Sequence, residues 1–420
     1  MKRNTLIVVL ILLIFFVISF LTNILGPIIP DLVESFHLSI GLAGFLPFAF
    51  FVAYGVSIPS GILVEKFREK PVLIGAFVLA LLGSLLFALI PRFSVALVSL
   101  FSIGVGMAML QVAINPLLRV AGGEEHFAFN SVLAQLFSGA ASFFSPLLYS
   151  YFVQTIHTDN TSFFIRLLNQ VVPVHFEWVS LYWVFAFTTL LMIVVVALIK
   201  FPAVALRDDE KIEVGGTLVE LLKDKTVRLF FVGIFAYVGT EQGIANWMSK
   251  FLQLYHGVDP ATDGATAVAY FWGLMTVGCV LGLILLKFID SRNVLIVFTL
   301  GALVSLVLGL FGPKEWALYA LPGTGFFASV MWSIIFSLAL NSVPKHHGTF
   351  SGILCTGIVG GALVPLIIGG LAELVGLRLA MLLLLTTLGY IFSIGIWAKP
   401  LVTNATIKLK SSIMSERMTE

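Results

Sequence analysis

The sequence predicts an all-α integral membrane protein of twelve transmembrane helices, arranged as two pseudo-symmetric bundles of six. Three observations carry that prediction. Of 420 residues, 59% are hydrophobic and 11% charged, against about 25% charged in ordinary soluble chains, and the mean hydropathy is +1.06. Apolar runs of roughly 20 residues, the length that crosses a bilayer core as a helix, recur along the whole chain. Finally, stretches of the first half reappear in the second. The net charge of +2, with no basic cluster outside the loops, gives no reason to expect nucleic acid as a partner; the partners expected are the lipid bilayer and a small solute.

Taken in order, the apolar runs fall at 5–30, 41–64, 72–91, 94–119, 128–154, 178–201, 228–254, 264–288, 293–312, 316–343, 349–374 and 377–398. The first follows Lys2 and Arg3 and superficially resembles a signal peptide. It continues to about Leu25 without a small-residue cleavage pattern, so it reads as a retained span. Twelve crossings put both termini on one side. With that side cytoplasmic, 19 of the 24 Lys and Arg fall inside and five outside (Arg92, Arg166, Lys250, Lys314 and Arg378), as the positive-inside rule requires.

The longest inside connection, 202–227, follows span six and divides the chain into bundles at 1–201 and 228–400, leaving 401–420 as a cytoplasmic tail. Thr217 and Glu220 in this linker have capping-box spacing ahead of Leu221-Leu222, which predicts a short amphipathic helix on the membrane surface. The outer connection 155–177 is also long. Its Phe163-Phe164-Ile165-Arg166-Leu167-Leu168 stretch reads either as an interfacial segment or as a packed lid, and Asn160-Thr161-Ser162 fits a glycosylation sequon.

The repeats sit in corresponding places. Gly61-Ile62-Leu63-Val64-Glu65-Lys66-Phe67 parallels Gly282-Leu283-Ile284-Leu285-Leu286-Lys287-Phe288 at an offset of 221 residues, and Ser145-Pro146-Leu147-Leu148 echoes Val364-Pro365-Leu366-Ile367. Internal repeats of six spans are the mark of secondary transporters that bind solute between two bundles near the midplane.

Polar residues inside the spans point to such a site. The stretch Tyr237–Lys250 holds Glu241, Gln242, Asn246, Trp247 and Ser249 within an apolar run. At a helical pitch Gln242, Asn246, Ser249 and Gln253 share a face with Glu241 at its edge. A charge near a bilayer centre costs at least ~2.5–3.5 kcal/mol on insertion scales, so it is expected to face a cavity or a partner. Span four offers Gln111 and Asn115, and span one offers Ser19 and Asn23, each pair at i, i+4. Span five carries Ser131, Gln135, Ser138, Ser142 and Ser145 in a helical stripe, and span ten carries Trp332, Ser333, Ser337 and Asn341. Amides and a carboxylate suit hydroxyl groups while an aromatic face suits C–H surface, which is the mixture a sugar needs. The span-five serines read equally as close helix packing, and Trp247 equally as an interfacial anchor. Trp272 and Met275 read as packing. Cys279 and Cys355 read as small packing residues rather than a disulfide or metal site. All seven His lie at loops or span ends, and no zinc-hydrolase or serine-hydrolase motif occurs within a span. No metal, cofactor or enzymatic activity is expected.

Several of these segments resemble the major facilitator superfamily. Gly61–Lys70 looks like that family's loop 2–3 motif, with Glu65 where the family usually has Asp; the resemblance implies that Gly61, Glu65 and Arg68 form a conformational latch. More narrowly the chain looks like the fucose/glucose–galactose permease branch. The stretches that carry this are Ile58-Pro59-Ser60-Gly61-Ile62-Leu63, Gln111-Val112-Ala113-Ile114-Asn115-Pro116, Ala128-Phe129-Asn130-Ser131-Val132-Leu133-Ala134-Gln135, Phe235-Ala236-Tyr237-Val238-Gly239-Thr240-Glu241, Ile335-Phe336-Ser337-Leu338 and Gly360-Gly361-Ala362-Leu363-Val364-Pro365. The resemblance implies a bacterial inner-membrane sugar symporter, typically driven by protons. The chain departs from the fucose permeases at three places. Gly26 stands where they carry an acidic residue in span one, Gln111 where they carry a Glu in span four, and Ser138 where a sugar-contacting Asn is expected. Glu241, which the glucose–galactose members share, remains as the mid-span acid.

The reading is therefore a monomeric secondary transporter working by alternating access. Asn23, Gln111, Asn115, Gln135, Ser138, Gln242, Asn246 and Trp332 are its candidate substrate ligands, and Glu241 its candidate for coupling to a proton or sodium ion. For sodium, Thr240, Gln242 and Asn246 would supply oxygens, and Gly239 and Gly243 would allow the helix to open locally. The alternatives are an uncoupled facilitator or exporter of another polar metabolite, and a nutrient sensor that binds without turnover.

Overall fold

The computed structural model describes residues 5–122, 127–158, 162–201, 216–343 and 346–401, and these are helical almost throughout. Among them eleven helices are long and apolar enough to cross a membrane: Thr5–Ser35, Ile40–Val64, Glu69–Leu89, Phe93–Ile114, Leu133–Thr155, Val179–Leu198, Pro260–Leu285, Ser291–Phe311, Lys314–Leu340, Thr349–Val375 and Leu377–Trp397. The twelfth crossing is Lys225–His256, a helix of 32 residues whose polar run makes it less apolar than the others. Numbered in chain order, it is span seven. Thr5 and Trp397 stand at the same end of the bundle, the near end; Ser35 and His256 reach the far end.

Local sequence fixes the limits of span seven. Asp224 caps its start, accepting from the N–H groups of Thr226 (2.6 Å) and Val227 (3.4 Å). Gly257 ends it in the left-handed region at φ 61°, and the Val258 N–H closes back onto the Leu252 carbonyl at 3.3 Å. Just before it, Gly216–Lys223 forms a short helix where the surface helix was expected. The rest of that linker at 202–215, the side chain of Thr217, sequon residues Asn160 and Thr161, and the tail beyond Leu401 lie outside the described residues. The outer stretch Phe163–Val171 is a helix that buries Ile165 and Leu168 and exposes Phe163 and Leu167.

In the first half, span three packs on four and six, five on one, and two on four. In the second, nine packs on ten and twelve, eight on ten, and seven on eleven and twelve. The halves meet along three seams: five against eight, two against eleven, and one against seven. Glycine makes the last of these possible. A Cβ on Gly26 would collide with the Ala245 carbonyl and lie 3.5 Å from Asn246 Cα. Gly26, where the resemblance led to the expectation of an acid, is thus a backbone-to-backbone crossing with no room for a side chain.

Four spans are interrupted where the halves face one another. Span one breaks at Asn23–Ile24, between Thr5–Thr22 and Leu25–Ser35. Pro27 accounts for this, because it has no N–H for the Asn23 carbonyl and its ring crowds that oxygen. Span two tightens into a 3₁₀ turn at Ala53–Val56, span ten breaks between Ala328 and Met331, and span eleven tightens at Gly357–Val359. Span seven, where Gly239 and Gly243 suggested an opened helix, is continuous. Those glycines serve packing instead: a Cβ on Gly239 would strike Val364, and one on Gly243 would lie 2.7 Å from Leu384.

At the near end the segment Ser57–Phe67 of span two packs against His347–Thr356 of span eleven. Gly61 is buried in that segment, and Arg68 is exposed at φ 68° between the helices; the side chain of Glu65 lies outside the described residues.

The one–seven crossing is testable against a matched control. Gly26→Val is expected to cost about 1–3 kcal/mol through overpacking, seen as a lower unfolding temperature of the purified protein in detergent. Gly75→Val, at a position whose Cβ meets nothing within 4 Å, is expected to melt close to wild type. Equal melting of the two variants would remove the crossing.

Candidate functional site

Between the halves lies a cavity of about 420 Å³, within the size range of small-molecule sites. Each helix interruption contributes to its wall: Asn23 from span one, Tyr54 from span two, Ser329 from span ten and Ile358 from span eleven. Irregular backbone is tolerated at membrane depth where it lines a cavity, and here the breaks turn side chains and carbonyls inward that a straight helix would point elsewhere.

Of the predicted ligands, the structure brings Asn23, Gln111, Gln135, Ser138, Gln242 and Trp332 together with Glu241 around this one space. The side chain of Asn115 lies outside the described residues. Asn246 does not line the cavity. It is 2% exposed, one turn behind the wall, and its amide donates to Gln242 Oε1 at 3.3 Å. Gln242 Nε2 donates in turn to Glu241 Oε1 at 3.0 Å, and the Tyr237 hydroxyl faces the same carboxylate from the preceding turn. Asn246 therefore orients the amide that orients the acid. Thr240, considered as a sodium ligand, faces away: its hydroxyl bonds the Ala236 carbonyl (2.8 Å) and Thr387 of span twelve (2.6 Å).

The span-five serines do both things the sequence allowed. Ser145 Oγ donates to the Phe20 carbonyl (2.9 Å) and Ser138 Oγ reaches the Phe15 carbonyl (3.5 Å), zipping span five to span one. Ser138 and Ser142 also line the cavity. Ser142 Oγ accepts from Asn23 Nδ2 at 2.7 Å, which leaves Asn23 Oδ1 buried without a partner. An acceptor left in that state costs ~1–3 kcal/mol, so it favours any donor that reaches it.

The aromatic wall differs in part from expectation. Trp332 lies 6.1 Å from Tyr237 and stacks on Phe336 at 5.8 Å. Trp272 and Met275, read as packing, both line the cavity. Trp247 belongs to the packing instead, fully buried with its indole N–H on the Pro365 carbonyl at 3.0 Å. Cys279 is not a mere filler. Its thiol reaches the Ser329 carbonyl (3.2 Å) and, across the seam, Gln135 Oε1 (3.6 Å).

Sequence reasoning missed one acid. Span one runs past Pro30 to Ser35, and Asp31 on this extension accepts from the Tyr149 hydroxyl at 2.6 Å. Glu34, Glu177 and Asp259 are within electrostatic range. Its signal was an acid placed directly after the second proline of an uninterrupted apolar run. Asp31 sits at the far end and not in the cavity, where Glu241 is the one charged group among the described lining residues. No group of three or more His, Cys, Asp or Glu among the described residues could hold a metal ion.

Two six-span halves enclosing a polar cavity at their interface define a membrane transporter. The chain belongs to the Major Facilitator Superfamily, whose family model matches residues 11–357. It is 32% identical over 394 residues to a glucose/galactose transporter of Brucella abortus, covering 91% of this chain and 92% of that protein. In structure it resembles the Escherichia coli fucose:proton symporter FucP, with a TM-score of 0.68, 22% identity and coverage of 95% of this chain and 100% of that one. It also resembles an inward-facing bacterial homologue of the human lysosomal transporter Spinster, with a TM-score of 0.74, 14% identity and coverage of 94% and 97%.

Placing Cys279 on the wall and Cys355 off it predicts unequal reactivity. In purified protein a small maleimide is expected to modify Cys279 several-fold faster than Cys355, read by mass spectrometry of the two peptides. Equal rates would contradict the assignment.

Proposed function

We propose that the protein moves a neutral monosaccharide across a bacterial inner membrane by alternating access of its two halves, coupled to a cation through Glu241. The observation that carries this reading is the composition of the cavity wall. Amides from Gln111, Gln135, Gln242 and Asn23 alternate with the rings of Trp332 and Trp272 around a single carboxylate. Amide groups match the mixed donor and acceptor character of sugar hydroxyls, and indole faces cover the C–H surface of a pyranose. With Glu241 and no Lys or Arg among the described lining residues, the cavity repels anions, which disfavours sugar phosphates and sugar acids. The relatives named as glucose/galactose and fucose transporters support a hexose or deoxyhexose.

The coupling assignment rests on chemistry. A carboxylate bonded by a neutral amide in a low-dielectric wall retains uncompensated charge, so a bound proton or sodium ion stabilises it. In this reading the near end is cytoplasmic, by the bias of Lys and Arg toward its loops. The packed one–seven crossing then closes the outer side. Ser57–Phe67, with Gly61, Glu65 and Arg68 at its end, acts as the latch between the halves at the inner side.

A second reading, an uncoupled facilitator, is favoured by one specific observation: Gly26 and Gln111 occupy the places of both fucose-permease carboxylates. Flux into proteoliposomes separates the readings. Counterflow of labelled glucose, galactose and fucose is expected, with accumulation when a proton or sodium gradient is imposed. Equilibration without accumulation would select the facilitator, and binding without flux would select a sensor.

Two substitutions test the residues. Glu241→Gln is expected to abolish gradient-driven accumulation; undiminished accumulation across a pH and sodium series would end its coupling role. Gln135→Ala is expected to weaken sugar binding by about 1–3 kcal/mol through loss of a buried hydrogen bond. Unchanged calorimetric affinity would return Gln135 to a purely structural role.

A further inference from the structure

Glu373 is set one turn from the end of its own helix, Gly360–Val375. An anion in the last turn is repelled by the unpaired carbonyls there. No cation lies within ion-pair distance of it among the described residues. What it meets instead is on the other half of the molecule. Glu373 Oε1 accepts from the backbone N–H of Gly41 at 3.0 Å, across 332 residues of sequence.

Gly41 is in the first turn of span two, where N–H groups have no partner within the helix. Ser39 caps that turn by accepting from the Leu42 N–H at 3.2 Å, and the carboxylate from span eleven takes the Gly41 N–H. A side chain here would push the carboxylate aside. A Cβ at position 41 would fall 2.5 Å from Glu373 Oε1 and 2.6 Å from Cδ. The backbones are close on either side as well. A Cβ on Gly369 would lie 3.0 Å from the Ile40 carbonyl, and one on Gly44 3.1 Å from Leu366 Cα. The contact lies at the far end of the two–eleven seam.

We propose that Glu373 is a far-end clasp: its exposed carboxylate, unfavourably placed on its own helix, gains the Gly41 N–H when the start of span two closes over it. The bond favours the closed far end, and parting the halves there gives up this charge-assisted hydrogen bond for water. This rests on alternating access, because a clasp has meaning only if the far end opens during the cycle. Substrate and coupling ion play no part in it.

Cys279 supplies the readout. The chain has two cysteines, and Cys355→Ser leaves the cavity thiol alone. A membrane-impermeant sulfonated maleimide is applied to sealed vesicles from the near face or the far face, and modification of Cys279 is followed by mass spectrometry. The Cys355→Ser protein is expected to react from the near face and only slowly from the far face. Glu373→Leu is expected to raise far-face labelling roughly tenfold and to lower near-face labelling, since charge-assisted hydrogen bonds are the stronger ones. Glu373→Gln keeps an acceptor without the charge and is expected to fall between. Gly41→Ala, which leaves the acid in place but crowds it, is expected to act in the same direction, while Gly370→Ala, which adds a methyl in open space, is expected to change nothing.

Rapid labelling of the Cys355→Ser protein from both faces would overturn alternating access and the clasp together. One-sided labelling left unchanged by Glu373→Leu and Gly41→Ala would overturn the clasp alone.

Discussion

A polar side chain inside a membrane has no water to turn to, and span seven is built around that constraint. Lys225–His256 carries Glu241, Gln242 and Asn246 through an apolar slab and links them to one another within the helix, while the Ser249 hydroxyl is buried without a partner. Asn246 donates to Gln242, and Gln242 donates to Glu241, a chain that runs from the one–seven crossing to the cavity wall. Thr240 and Trp247, on other faces, are satisfied by Thr387 and the Pro365 carbonyl. Partners therefore surround span seven on nearly every side, which explains why it stays unbroken while its neighbours bend to face it.

The crossing of spans one and seven at Gly26 shows how closure and charge compete for the same place. An acid there would need room and solvation. The observed approach of Ala245 leaves neither. Pro27, the next residue, bends span one so that Asn23 enters the cavity while Leu25–Ser35 turns onto span seven. One Gly-Pro pair thus sets both the seam and a position in the cavity wall. The acid that span one does carry, Asp31, has moved outward to the far end, where Tyr149 can reach it.

Much of this was legible in the residues. Hydropathy gave the spans, because a helix crossing lipid needs an apolar surface over its whole length. Polar residues within apolar spans singled out Gln111, Gln135, Gln242 and Glu241, which the structure brings around one cavity. What periodicity could not supply was the identity of the neighbour on each face. Asn246 shares a face with Gln242, but its own depth is decided by Gly26 on another span. Gly239 and Gly243 look alike whether they loosen a helix or admit Val364 and Leu384. Trp272, read as packing, lines the cavity, and Trp247, left open between cavity and anchor or packing, is core, since a Trp near a span end is an anchor or a core residue according to what packs over it. The interruptions at Asn23, Tyr54, Ser329 and Ile358 were invisible except through Pro27, because they come from crossings between spans and not from local preference.

The charge balance of the cavity ties the site to the movement of the halves. Glu241 is bonded by the neutral Gln242 amide, with the Tyr237 hydroxyl facing it and no basic residue among the described lining positions. Neutral dipoles reduce the cost of a buried carboxylate without cancelling its charge. In a static protein the remaining cost would favour an inward-facing Lys or Arg as permanent partner. A transporter that installed one would fix the charge state of its cavity and lose the means of linking it to a passing ion. Leaving Glu241 without a permanent cation keeps that position open to something that arrives and leaves. The helix carrying it crosses span one at Gly26, so in the proposed cycle the same 32-residue element holds the coupling acid at one level and the seam at another.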